Sequence, residues 1–488
     1  YTEQKGKTKC MLQGDLLEEI RTLPEKQVYR FALESVDSKL EKGIISTDTA
    51  LDICDKILKD YQREKQEIID SLNKSKKITV IDAIMGTGKS TYIIDKVINT
   101  NPQQRFLCVL KTLDECKRYV QNIDADIFEP KNRRTKTRGL RELIANGRNI
   151  ATTHALIQNI DDITMELLRL NNYVLVIDEC LDVVHEYKSN FKTSDLKTLF
   201  EDGYVTVDDK GFLIWNNEKQ KEYDGRYNDI KQLCSLHSLM RLKNKNGEWS
   251  DKVLIWNFPV SFFSLFEKCY ICTYLWNGSV QMAYFKLHGI KYLHMTLNNG
   301  KLDIYNPTRE LIYREKYWKL INLYKGSLNK IGEKSGKDNP LTATWYQRKS
   351  RTETGRNYLT ILKNNTYNYF RNVVKTASSE NMYTTFKDYR KYVKAAGYTK
   401  GFVSCNAKAT NDYRNKKTLA YLINLYPYPQ LIQFFEMNGV ELNQDLYAIS
   451  ELLQWIWRSA IRDGECIDLY LPSVRMRELL GMWVLGKI

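Results

Sequence analysis

Residues Ala83-Ile84-Met85-Gly86-Thr87-Gly88-Lys89-Ser90 have the types and order of a phosphate-binding loop. They follow the β-rich run Ile78-Thr79-Val80-Ile81 and precede a helical stretch beginning at Thr91. Gly86 and Gly88 let the backbone curl, so that the N–H groups of Ala83, Met85, Thr87 and their neighbours through Thr91 can point at phosphate oxygens. Lys89 is placed to reach the β- and γ-phosphates, and the Ser90 hydroxyl to coordinate Mg²⁺. The amino end of the following helix adds partial positive charge beneath the anion.

A second element completes this chemistry. Tyr173-Val174-Leu175-Val176-Ile177 is a short apolar run, expected to be a fully buried strand, and it ends in Asp178-Glu179. An Asp at such a strand tip can hold Mg²⁺, and an adjacent Glu can polarise the attacking water. Both must emerge at the carboxyl end of a parallel strand, where open α/β sheets bind ligands. A third set lies far downstream. Ser450–Asp463 reads as one helix carrying Gln454, Arg458 and Arg462 at i, i+4 and i+8, on nearly one face. A guanidinium there suits charge on a transferring phosphoryl group.

The elements that must position these groups alternate strand and helix over 73–185. Phe106–Leu110 is expected to be a strand ending in Lys111-Thr112, and Asn149–His154 another, with Thr152 and Thr153 at its tip. Such alternation argues a parallel sheet covered on both faces. Between 186 and 255 the pattern breaks, and Tyr204–Val207 with Phe212–Trp215 reads as a hairpin within an insertion. Residues 1–72 read as helical, with Leu51, Ile53, Ile57, Leu58 and Tyr61 on one apolar face. Residues 325–355 are polar and basic and read as a loop or mobile arm. The basic stretch Lys131–Arg138, with Arg133, Arg134 and Lys136, is a further candidate for contact with a polyanion.

Composition narrows the partners. The net charge is +15, which favours nucleic acid. No apolar run approaches the ~20 residues needed to span a bilayer. The polar first residues are not expected to act as a signal peptide. Ten cysteines are scattered without a repeated spacing, and Cys269-Tyr-Ile-Cys272 reads as buried thiols rather than a zinc site. Free thiols point to a reducing, cytoplasmic compartment, the host cytoplasm if the protein is phage-encoded.

Taken together, the order of these motifs resembles the superfamily 2 helicases, and particularly their divergent phage-type members, discontinuously over residues 78–475. Ala83–Ser90 resembles motif I and Phe106–Thr112 motif Ia. Thr152-Thr153-His154 is similar to a nucleic-acid-contacting turn, and Asp178-Glu179-Cys180 to motif II. Met382-Tyr383-Thr384-Thr385-Phe386 sits where motif IV belongs. Phe402–Asn406 with Ala409-Thr410-Asn411-Asp412 resembles motif V, and Gln454–Arg462 motif VI. There are departures. The acidic or His residue that ends motif II is absent or displaced to Asp182. The best-placed motif III is Cys272-Thr273-Tyr274, while Thr342-Ala343-Thr344 matches literally but falls in the basic loop. The spacing from Gln454 to Arg462 is one residue longer than the family's.

The resemblance implies an α/β protein of two RecA-like P-loop domains with parallel sheets. A helical segment 1–72 would precede domain 1 (73–300, insertion about 186–255) and domain 2 (301–488). ATP and Mg²⁺ would lie between the two domains, with Lys89, Asp178, Glu179, Gln454, Arg458 and Arg462 as catalytic groups and Ser90 and Asp178 at the metal. Lys111, Thr112, Thr152, Thr153, Thr384, Thr385, Thr410 and Asn411 would contact a nucleic-acid backbone. The implied activity is an ATP hydrolase driving a helicase or translocase, on DNA in preference to RNA, in phage or mobile-element replication or recombination, with proteins of those processes as partners. A restriction or defence motor and a packaging-terminase-type ATPase are the alternatives.

Overall fold

The computed structural model describes residues 27–488 except 76, 188–192, 217–222, 224, 244–246, 335, 337 and 406–412. The chain divides into two compact units, 1–76 and 77–488. In the first, helices Gln27–Glu41 and Thr47–Ser75 bury Leu33, Leu58 and Tyr61 against Tyr29, Cys54 and Ile57. The Tyr29 and Tyr61 rings meet edge to face at 5.6 Å. Leu51, expected on this apolar face, is instead 62% exposed. The neighbouring Ala50 is buried, so at this turn the inward side of the helix runs through Ala50.

In the second unit, the strands among the described residues are numbered in chain order: β1 Ile78–Asp82, β2 Arg105–Leu110, β3 Ile127–Phe128, β4 Asn149–Thr153, β5 Tyr173–Asp178, β6 Val184–Glu186, β7 Val205–Val207, β8 Leu213–Trp215, β9 Leu239–Lys243, β10 Trp249–Asn257, β11 Lys268–Thr273, β12 Leu293–Asn298, β13 Lys301–Ile304, β14 Ile321–Leu323, β15 Asn381–Thr384, β16 Thr418–Tyr421 and β17 Ile467–Tyr470. The largest sheet has eight strands in the order β13-β12-β1-β11-β5-β2-β4-β3. All its pairings are parallel except β12 with β13. Such strands are covered on both sides and read as continuous apolar runs. β5 is buried at every position. Its alternate residues face different cores, Leu175 and Ile177 one way, Val174 and Val176 the other.

The sheet order decides the chemistry. β11 lies between β1 and β5, with Asp82 opposite Thr273 and Cys272 opposite Asp178. The loop after β1 and the carboxylates of β5 therefore open at one edge of the sheet, one strand apart. β2 and β4 end at the same edge, Leu110 opposite Thr153.

The expected insertion contains a small antiparallel sheet, β6-β10-β9, and the hairpin β7–β8. The hairpin turn is closed by Asp208 Oδ1, which accepts from the backbone N–H of Lys210 and Phe212. A second parallel sheet, β14-β17-β16-β15, follows. On one face lie helices Ala343–Arg351 and Glu353–Asn368, packed through Trp345, Tyr346, Leu359 and Leu362 onto Tyr383, Ala420, Leu422 and Tyr470. On the other lie Gln444–Ile456 and Val474–Val484. The architecture is thus α/β, with two parallel sheets of RecA-like layering.

Two local expectations change. The stretch 325–355 is not a loop throughout. Thr342 accepts from the N–H of Trp345 and caps a helix from Ala343, which buries Trp345 and Tyr346. This also explains why Thr342-Ala343-Thr344 is no strand-tip motif. The helix expected over 450–463 stops at Ile456. Ser459 adopts extended backbone (φ −83°, ψ −171°), and a short 3₁₀ turn, Ala460–Asp463, carries Arg462. The Ala460 N–H is bonded to Lys416 O instead of continuing the helix.

The two sheets meet where the turn at Trp276–Gly278 docks on the Gln444–Ile456 helix. A Cβ on Gly278 would lie 2.6 Å from the Leu446 backbone carbon. Gly278→Ala should therefore overpack this seam and lower stability by about 1–3 kcal/mol. Urea unfolding monitored by tryptophan fluorescence checks this, and an unchanged midpoint would refute it.

Candidate active site

The loop after β1 turns through two left-handed glycines, Gly86 (φ 79°) and Gly88 (φ 84°). Thr87 Oγ1 donates to Ile84 O at 2.9 Å and braces the turn. The Lys89 ammonium folds back onto the loop, donating to Ala83 O and Ile84 O. A lysine bonded only to loop carbonyls has a charge available to an incoming anion. Lys89 also opens the helix that runs to Tyr92 and continues as a π-helical turn, Ile93–Ile98. Met85 and Ser90 are half-buried, and Thr91 is exposed on the first turn.

Ser90 Oγ donates to Asp178 Oδ2 at 2.7 Å across 88 residues of chain. Two more donors reach the same oxygen, Tyr119 OH at 3.2 Å and Arg118 Nη2 at 3.5 Å. The ring Nε2 of His154 lies 3.0 Å from the backbone O of Asp178. Burial pushes the Asp178 carboxyl up, Ser90's hydrogen bond pulls it down, Glu179 raises it, and Arg118 and Lys89 lower it. Burial holds His154 down at about 4. It is therefore neutral near pH 7 and donates to the carbonyl as an imidazole.

Glu179 has φ +71°, in the left-handed region that non-glycine residues avoid at a cost of order 1–3 kcal/mol. Its N–H is bonded to Cys272 O of β11, which fixes this conformation. The carboxylate is thereby turned out of the strand. Asp182, one of the two expectations for the end of motif II, is exposed and faces His185 at 3.5 Å. Thr273, in the motif III position, lies 3.1 Å from Cys180 Sγ.

The second sheet's side supplies the rest. Tyr317 OH donates to Met85 O at 3.0 Å. The Trp457 ring covers Gly86, where a Cβ would stand 2.6 Å from it. Tyr317 and Trp457 meet edge to face at 4.8 Å. The next residue, Arg458, is 8% exposed, and its Nη1 has no hydrogen-bond partner among the described residues. Burial lowers its pKa, opposed by the charges of Glu451 and Glu179. Arg458 thus lies within electrostatic reach of Glu179, the residue that follows β5. Gln454 is half-buried and donates to Ser450 Oγ, which reaches Tyr274 O. Arg462 lies on the short turn beyond the helix, where burial and the charges of Arg414 and Arg118 lower its pKa and Asp463 and Glu115 raise it, so it faces the Glu115–Arg118 side of the site.

The backbone-contact candidates are placed unevenly. Lys111 and Thr153 are half-buried at the strand tips, and Lys111's charge reaches Glu451. Thr112 is buried and caps the next helix, accepting from Glu115 N. Thr152, Thr384 and Thr385 are buried. Thr410 and Asn411 lie outside the described residues. In the basic loop, Arg133 and Arg138 both pair with Glu142. Cys269 and Cys272 are buried on β11, where burial pushes both thiols up.

For Mg²⁺ the test is the donor set. This ion keeps several waters and needs only one or two protein oxygens. Ser90 and Asp178 supply these, already in hydrogen-bonding contact, and the residues fit. A cavity of about 1110 Å³ lies elsewhere, between His185, Trp256, Asp229 and Tyr428, and contains none of these groups.

The helix Leu113–Asn122 joins the site although its residues carry no motif. It brings Glu115, Arg118 and Tyr119, spaced i, i+3 and i+4, to the carboxylates. That spacing behind a strand tip is the one signal the sequence offers for it. Burial, Asp178 and Glu179 push the Glu115 carboxyl up to about 7. The folded form then keeps its proton to higher pH than the unfolded chain. Stability from this group is full below about pH 4.5 and is lost as pH rises towards 7. Glu115→Gln should stabilise the protein at pH 8 by on the order of 2 kcal/mol and give no gain at pH 4. Denaturant titrations at the two pH values check this, and an equal effect at both would refute it.

Comparison with known proteins places the chain. A family model described as the YonV C-terminal Rossmann-like domain matches residues 315–484, and one described as the YonV middle domain matches 186–256. The SPbeta prophage-derived uncharacterized protein YonV of Bacillus subtilis (strain 168) is 36% identical over 428 residues, covering 84% of this chain and 98% of that protein. Among solved structures, an XPD apo structure aligns over 86% of this chain and 98% of its own, at 13% identity and a TM-score of 0.45. The S. tokodaii Xpd4 structure aligns over 86% and 96%, at 11% identity and a TM-score of 0.44. Scores this low carry no functional argument. The match to YonV extends along nearly the whole of that protein, and the chain is a member of the YonV family.

Proposed function

We propose that this protein is an ATP hydrolase of the helicase or translocase type, acting on nucleic acid and on DNA in preference to RNA. One observation carries the reading. The phosphate loop and the β5 carboxylate Asp178 are joined by the Ser90–Asp178 hydrogen bond, and the buried Arg458 guanidinium arrives from the other sheet with an Nη1 that has no partner among the described residues.

On this reading the Lys89 ammonium leaves Ala83 O and Ile84 O for the phosphates. Ser90 and Asp178 hold Mg²⁺, which supplies charge neutralisation when bound. Glu179 accepts a proton from water as its oxygen bonds to the γ-phosphorus and the β–γ bridging bond breaks, releasing ADP and phosphate. Arg458 stabilises the charge on the transferring group. Because Trp457 rests on the loop and precedes Arg458, nucleotide exchange would move the two sheets against each other. Such movement along a backbone is what makes an ATPase a motor.

The prophage origin of YonV supports a role in phage or mobile-element DNA replication or recombination, with proteins of those processes as partners. No helix among the described residues is long and apolar enough to cross a membrane, which fits the cytoplasmic setting proposed.

ATP turnover measured with and without single-stranded DNA, duplex DNA and RNA tests the proposal. Lys89→Ala should abolish turnover in a folded protein. Glu179→Gln should bind ATP yet hydrolyse it very slowly, since only the base is lost. Near-parental turnover in either variant would sink the assignment. Arg458→Ala should cut nucleic-acid-stimulated turnover by roughly 10³-fold with little change in ATP affinity. A loss confined to affinity would remove Arg458 from the transition state.

A further inference from the structure

The helical layer on the outer face of the second sheet concentrates the chain's charge. Residues 343–400 hold 12 Lys or Arg and 3 Asp or Glu, an excess of 9 in a chain whose total is +15. The layer is continuous. Helix Ala343–Arg351 packs on Glu353–Asn368, and both pack on the segment Lys387–Val393 around one core. Tyr346 stacks on Tyr389 at 5.5 Å within it.

Because the apolar side of every piece faces that core, the basic side chains are driven outward. Arg371, Lys375, Lys387, Lys391, Lys394 and Lys400 are exposed and form no ion pair among the described residues. This differs from the basic loop at 131–138, where Glu142 neutralises two arginines. Interleaved with the charge are two exposed rings, Tyr358 at 43% and Tyr367 at 41%. Tyr367 and Arg371 border a shallow cavity of about 190 Å³ with Thr376, Ser378 and Asn381 on its polar wall.

We propose that this layer is a binding surface for single-stranded nucleic acid, its lysines and arginines following the phosphodiester backbone and Tyr367 stacking on a base. The assignment rests on the nucleic-acid reading above and adds the place of binding. Exposed like charges gathered in one layer repel one another, and a polyanion relieves that repulsion while releasing counterions. Aromatic rings beside a basic track favour an unstacked strand over a duplex.

The test uses the full chain and a fluorescein-labelled oligothymidylate, with anisotropy read from roughly 50 to 300 mM NaCl, a range wide enough to resolve such slopes. The variant Lys387→Glu/Lys391→Glu/Lys394→Glu/Lys400→Glu should bind at least about tenfold more weakly. The slope of log affinity against log salt should flatten by about 0.7 for each phosphate that is no longer neutralised. A control with equal charge change, Lys210→Glu/Lys286→Glu/Lys291→Glu/Lys301→Glu, alters exposed residues elsewhere and should keep most of the affinity. Equal losses in both variants would show that net charge alone matters and would overturn the surface. So would parental affinity in the first variant. A parent that binds no oligonucleotide would instead overturn the nucleic-acid reading, and the surface with it. Tyr367→Ala should weaken the oligothymidylate but not a duplex of equal length, and equal effects would overturn the assignment to a single strand.

Discussion

The site depends on a single carboxylate oxygen. Asp178 Oδ2 receives Ser90, Tyr119 and Arg118, and so joins the phosphate loop, the helix after β2 and the tip of β5. A buried carboxylate without donors would cost several kcal/mol, and these three offset that cost. What makes the convergence possible is the register of β11. By pairing with both β1 and β5, it holds Ser90 and Asp178 one strand apart, close enough to hydrogen-bond directly. The same strand fixes Glu179 through Cys272 O, in a backbone conformation that Glu would not adopt unaided. Local strain and tertiary pairing are thus two sides of one arrangement.

The second sheet completes this arrangement by close packing. Trp457 on Gly86 and Tyr317 on Met85 make the shape of the phosphate loop depend on residues more than two hundred positions away. Ile84 of the loop belongs to the same apolar cluster as Leu452 and Leu453 of the Gln444–Ile456 helix. Such packing transmits displacement, because a close-packed interface has few intermediate positions. The arginine that follows Trp457 is buried with a nitrogen that has no partner among the described residues, a costly state that an anionic ligand would relieve. The cost of that burial is consistent with a site whose groups are matched to an incoming anion.

Charge is arranged on a different principle. Around β5 charges of both signs are packed together, with Asp178 and Glu115 both under the influence of Arg118. On the outer helical layer of the second sheet positive charge is left in excess. One region is organised to hold a compact anion at short range, the other to attract an extended one at long range.

Much of this is legible in the residues alone. The loop Ala83–Ser90 and the pair Asp178-Glu179 declare themselves because their chemistry is local: a turn that needs glycine, a lysine beside a serine, two acids closing an apolar run. Buried strands are equally readable, since a sheet covered on both faces demands unbroken apolar sequence. The failures share a cause. Helical periodicity continues past Ile456, yet the helix stops there, because the Ala460 N–H is taken by Lys416, a partner the local pattern cannot reveal. The threonines at 152, 384 and 385 have the right type for backbone contact but lie under the packing of their own sheets. Glu115, Arg118 and Tyr119 sit on an ordinary amphipathic helix, and only the order of the strands brings that helix to Asp178. Sequence determined which groups could do chemistry. Tertiary structure decided which of them meet, because strand order and the docking of two sheets are set by long-range burial that no short segment records.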